Sequence, residues 1–112
     1  MGRKVYVVGV GMTKFEKPGS RQWDYPDMAK EAGEMALADA GIPYEAVEQA
    51  VVGYCYGEST AGERAVYTLG LTGIPFTTLY NGCATGGNLL ITTANAIRAG
   101  VGDLGIAIGL DK

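Results

Sequence analysis

The chain has 112 residues, 47% apolar and 19% charged, with nine basic against twelve acidic side chains for a net charge of -3. A chain of this size is one domain at most, and it buries roughly two-thirds of the surface its unfolded form exposes, so a core needs no disulfide or metal staple. That composition excludes disorder and collagen-like repeats, and with no basic run longer than Arg3-Lys4 nucleic acid is not an expected partner.

Lys4 to Gly11 (KVYVVGVG) is a β-branched run closed by glycines and apolar on both sides of the pleat, which predicts a first strand covered on both faces. Its Gly9-Val10-Gly11 resembles the start of a dinucleotide-binding loop, but the third glycine would fall at Lys14, so the pair reads as a tight exit from the strand. A polar loop with Pro18-Gly19 follows. Asp24, Pro26 and Gly41 then bracket a helix with Met28, Ala32, Met35, Ala36 and Ala40 at helical spacing.

Pro43 opens a connection that has room for a helical turn, and Ala50 to Tyr56 (AVVGYCY) reads as a second, buried strand. Thr60 to Leu71 is assigned to a helix. Gly57 to Ala61 has the outline of a nucleophile elbow, but the closing glycine is replaced by Ala61 and no histidine exists to activate Ser59. Ser59 or Thr60 is therefore taken as a helix cap. Phe76 to Tyr80 is the third strand, and the next helix runs from Cys83 or just beyond it to Ala99. Leu90, Ala94 and Ile97 are on its apolar face, and Gly100 closes it. Leu104 to Leu110 is the fourth strand. Alternation of this kind predicts an α/β fold with a mostly parallel sheet, helices on its faces, and a site beyond the carboxyl ends of the strands, where Asn81-Gly82-Cys83 falls.

The chain has no histidine and only two cysteines, Cys55 and Cys83, so no metal centre is expected and no Cys-His or Ser-His couple forms within it. Cys55, between Tyr54 and Tyr56, reads as a core residue, and the tyrosines in general as strand and interface aromatics. Cys83 differs. A strand, a short polar turn, the cysteine and a helix rich in small residues arrive in that order. Unpaired N–H groups and the macrodipole at a helix start favour thiolate over thiol. Gly86 and Gly87 leave room there for a substrate to approach. A Cys55–Cys83 bridge is compatible with the sequence, but reduced thiols and a cytoplasmic location are the expectation for two cysteines with no export signal and no apolar run of about 18 residues.

The segments Val8 to Phe15, Asp24 to Asp27, Ala38 to Tyr44, Val52 to Tyr54, Gly73 to Pro75 and Cys83 to Gly86 closely resemble the N-terminal part of thiolases of the sterol-carrier-protein type. The resemblance implies a thiolase fold of two similar βαβαβ halves, with residues 1–112 forming most of the first. It further implies a homodimer and, at Cys83, the nucleophile that accepts the acyl group of an acyl-coenzyme A. Coenzyme A thioester would be substrate, with no resident cofactor. The family's histidines and second cysteine belong to later segments. Tyr80-Asn81-Gly82 stands where consecutive asparagines are usual, and Gly86-Gly87-Asn88 replaces a glycine-serine step. Two other roles fit the same resemblance: a thiolase-fold aldolase or lipid-handling protein working with an OB-fold partner, and a non-catalytic fragment whose apolar helix faces stay uncovered.

Overall fold

The computed structural model describes residues 3–111; Met1, Gly2 and Lys112, the outermost positions of the expected 1–112 domain, lie outside the described residues. Three helices and three strands alternate: α1 (Tyr25–Ala40), β1 (Gln49–Gly53), α2 (Ala61–Tyr67), β2 (Phe76–Leu79), α3 (Thr85–Arg98) and β3 (Gly105–Gly109). The strands form one parallel sheet in the order β2-β1-β3, with Gly53 opposite both Leu79 and Gly109. The α/β class and the parallel pairing agree with the expectation.

Both boundaries of α1 have local causes. Asp24 and Asp27 form a reciprocal capping box at the start of α1, Pro26 occupies its first turn, and Gly41 ends it in the left-handed region at φ 69°. The turn expected after Pro43 is the 3-10 helix Tyr44–Ala46. Thr60 does precede α2, but without a side-chain capping bond, and α2 stops at Tyr67, short of Leu71. There the Thr68 hydroxyl donates to the Ala65 carbonyl.

Central strand β1 is buried along its whole length and divides the core in two. On one side Ala50, Val52 and Ile108 pack with Ala29 of α1 and Ala65 and Val66 of α2. On the other, α3 lies across β1 and β3. Its buried stripe is Thr85, Leu89 and Thr93, whereas Leu90 of the expected face is exposed. The Thr93 hydroxyl returns its hydrogen bond to the Leu89 carbonyl at 2.8 Å, so a residue that reads as polar is buried without an orphaned group.

The first predicted strand needs correction. Residues 4–11 belong to no sheet, and Tyr6, Val7, Val8 and Val10 are exposed instead of covered. Arg3 ties the start of this segment to the Ile97 and Gly102 carbonyls and to Asp103, while Gly11 and Met12 line one cleft with Gly109 and Leu110. It thus runs beside β3 in the same direction, yet among the described residues no backbone hydrogen bond joins the two. β-branched residues favour an extended backbone, but a ladder also needs a neighbouring edge within reach. Gly9 and Gly11 instead press onto α1, where a Cβ on either would strike the backbone of Ala32, Ala36 or Ala40. Close packing on a helix, not a tight strand exit, accounts for them.

Candidate functional site

β2 ends at Leu79, one residue before the expected Tyr80, and the chain turns through Asn81 into a short 3-10 helix, Gly82–Ala84, that leads directly into α3. Gly82 has φ +56°, a conformation in which a side chain would clash with its own backbone. Thr85 fixes this turn: its hydroxyl accepts from the Asn81 amide at 2.9 Å and donates to the Gly82 carbonyl at 2.7 Å. Thr85 is itself buried against β1, because Gly53 has no Cβ to occupy the space of the threonine methyl. The chain of support therefore runs from the central strand through Thr85 to the turn.

Cys83 is the middle residue of that turn and is exposed. Gly86 and Gly87 lie three and four residues further on, on the helix side that Cys83 shares, and a Cβ on either would meet nothing within 4 Å. All three residues singled out in the sequence are thus brought together on one open surface at the carboxyl end of the sheet. Ala84 caps α3 without a side-chain hydrogen bond, and the Thr85 amide donates to the Gly82 carbonyl, so the 3-10 turn itself closes onto the start of the helix.

Cys55 departs from its expected place. β1 stops at Gly53, so Cys55 is neither mid-strand nor core; it is half-buried beyond the strand end, with its thiol donating to the Gly82 carbonyl at 3.6 Å. The strand ends early because the Cys55 and Tyr56 amides donate to the Asp111 carboxylate, each at 3.2 Å, in place of a ladder carbonyl.

A second polar cluster, at the carboxyl ends of β1 and β3, was not legible in the sequence. The Tyr25 hydroxyl and the Arg64 guanidinium both donate to the Glu58 carboxylate, and the guanidinium also stands 5.4 Å from the centre of the Tyr25 ring. Burial, then the bond to Glu58, pushes the Tyr25 phenol up. The Tyr25 and Arg64 bonds hold Glu58 below the usual carboxylate range, opposed by desolvation and, less, by nearby Asp24. These residues come from separate elements, and only Glu58 and Arg64 are close in sequence. With Tyr56, Gly57, Leu110 and Asp111, Tyr25 and Glu58 line a cleft of about 220 Å³ that does not include Cys83.

Because the folded carboxyl of Glu58 is depressed, the stability it contributes is present above the ordinary glutamate value of about 4.3 and is lost as pH falls through its folded value. The urea midpoint of Glu58→Gln is therefore expected below that of the parent chain at pH 7, with the gap closing towards pH 3. Equal gaps at both pH values would assign the loss to packing.

Among the described residues no group of His, Cys, Asp and Glu is placed to hold a metal, and no helix is long and apolar enough to cross a membrane. Residues 5–112 match the family model described as thiolase, N-terminal domain. The chain is 58% identical over 113 residues to "Sterol carrier protein 2" of Gallus gallus, covering 100% of this chain and 21% of that protein. It is 34% identical over 117 residues to the "Acetyl-CoA acetyltransferase" of Methanothermobacter thermautotrophicus, covering 98% and 30% respectively. The solved structure of 3-oxoacyl-(acyl carrier protein) synthase III of Pseudomonas aeruginosa superposes with a TM-score of 0.62 at 26% identity, over 71% of this chain and 25% of that one. The chain thus spans about a fifth of the length of the sterol carrier protein it matches.

Proposed function

Since the chain belongs to the thiolase family through its N-terminal domain, we propose that it carries the acyl-accepting residue of a coenzyme A-dependent acyltransferase, which cleaves or forms 3-oxoacyl-coenzyme A through a thioester on Cys83. The observation that supports this most is the built turn: a cysteine held by Gly82 and Thr85 beyond the carboxyl end of β2, with open space over Gly86 and Gly87.

In the cleavage direction the Cys83 thiolate attacks the 3-oxo carbon, and the bond between C2 and C3 breaks. The electron pair stays on C2 and takes up a proton, releasing acetyl-coenzyme A. The sulfur of free coenzyme A then attacks the thioester carbonyl, expelling the Cys83 thiolate and freeing the shortened acyl-coenzyme A. Fixing the thiol on a turn pinned to the core keeps it in place for both attacks. Proton transfer at C2 needs a base and an acid. No histidine is present in this chain, so a histidine in either role would be supplied by residues outside it.

A second reading is favoured by one finding, the 58% identity to a protein named for sterol carriage. In it the fold handles a lipid, or cleaves a carbon chain by retro-aldol chemistry with an OB-fold partner, and Cys83 takes no acyl group. The discriminating experiment follows acetoacetyl-coenzyme A in a protein of the relatives' length that carries this chain. Loss of substrate that requires free coenzyme A and yields two acetyl-coenzyme A supports the thiolase reading. No cleavage of acetoacetyl-coenzyme A, beside saturable sterol binding or a retro-aldol cleavage of a 3-hydroxyacyl-coenzyme A that needs no free coenzyme A, replaces it with the second.

A further inference from the structure

Gly53 is opposite Leu79, so the chain leaves β1 and β2 side by side, carrying Cys55 past one strand end and Cys83 past the other. The Cys55 sulfur is 3.6 Å from the Gly82 carbonyl oxygen. That carbonyl belongs to the peptide bond of Cys83, whose Cα is about 2.8 Å from the oxygen across a trans peptide; the Cys55 sulfur therefore lies within about 6.4 Å of the Cys83 Cα. Neither cysteine is in a strand or in an α-helix, so rotation of the two side chains disturbs no ladder hydrogen bond.

We infer that Cys55 and Cys83 are an oxidation pair that closes to a disulfide in the presence of a peroxide and blocks the Cys83 sulfur. The Cys83 thiolate attacks one peroxide oxygen, the O–O bond breaks, and the departing hydroxide takes a proton to become water. Cys83 is then a sulfenic acid. The Cys55 thiol gives up its proton, its sulfur attacks that of Cys83, and the S–O bond breaks with loss of a second water. Two thiols have lost two electrons and the peroxide has gained them. A dithiol reverses the reaction by exchange. The bond also protects: a sulfenic acid with a resolving thiol beside it does not go on to the irreversible sulfinic acid.

The inference concerns bond formation and does not depend on acyl transfer. The experiment is non-reducing intact mass spectrometry of a protein that carries this chain after a brief pulse of hydrogen peroxide, with peptide mapping. The expected result is a loss of about 2 Da, a single peptide pair joining Cys55 to Cys83, and full return with dithiothreitol. Cys55→Ser is expected to gain about 32 Da instead, as sulfinic acid on Cys83. A parent chain that accumulates sulfinic acid on Cys83 while Cys55 still alkylates, or that links only between two copies, overturns the inference. A chain that forms the bond but accepts no acyl group keeps this inference and loses the thiolase reading; acylation without the bond does the reverse.

Discussion

Cys83→Ala is expected to lower coenzyme A-dependent cleavage of acetoacetyl-coenzyme A by at least about a thousandfold, because deleting a covalent nucleophile removes the acyl-enzyme route itself. Its effect on folding should be slight. The side chain is exposed, and its place in the turn is set by neighbours, Gly82 through its backbone and Thr85 through its hydroxyl. A denaturant midpoint equivalent to a change within about 0.5 kcal/mol would accompany the kinetic loss. If turnover survives the substitution with its coenzyme A requirement intact, Cys83 is not the acyl acceptor.

The largest structural effect is expected one layer below. A Cβ at Gly53 collides with the Thr85 methyl and comes within 3.1 Å of Leu89 Cδ2 and 3.2 Å of the Leu79 carbonyl oxygen. β1 is the central strand and the Leu79 oxygen is backbone, so relief has to come from α3 moving away. Overpacking of this kind costs about 1–3 kcal/mol. Displacing Thr85 also releases the Asn81 amide and the Gly82 carbonyl, so the turn loosens with it. Gly53→Ala should therefore lower the denaturant midpoint and alter the rate at which iodoacetamide alkylates Cys83. Gly86→Ala, which meets no neighbour, serves as the control for the denaturant midpoint. Unchanged stability in Gly53→Ala would mean that α3 is not seated as described.

What could be read from the sequence follows from how local each signal is. Asp24, Pro26 and Gly41 act within one turn of their helix, and α1 begins and ends where they require. Short apolar runs between glycines placed β1, β2 and β3, although Ala50 to Tyr56 overran because the acceptor that diverts Cys55 and Tyr56, Asp111, is more than fifty residues away. Residues 4–11 show the opposite failure. Their composition suits a strand, but pairing belongs to two segments and only one is visible in a local run. On α3 the buried stripe of Thr85, Leu89 and Thr93 replaces the expected Leu90 face, since a threonine hydroxyl that bonds a carbonyl three or four residues back is compatible with burial only once the backbone is known.

The candidate site divides along the same line. Cys83, Gly86 and Gly87 are neighbours in sequence, and their order after a strand was enough to single them out. The supports were not visible: Gly53 and Thr85 meet across the sheet and helix, and Cys55 reaches Gly82 from 27 positions away. Tyr25 meets Glu58 across 33 positions, and nothing in either local sequence announces the pairing.

Acyl transfer to Cys83 is read directly by intact mass spectrometry of a protein that carries this chain, before and after brief exposure to acetoacetyl-coenzyme A without free coenzyme A, with the modified peptide mapped. An acetyl adduct on Cys83, removed when coenzyme A is added, is expected. An unmodified Cys83 after the substrate has been cleaved, or an adduct mapped to another residue, would contradict it.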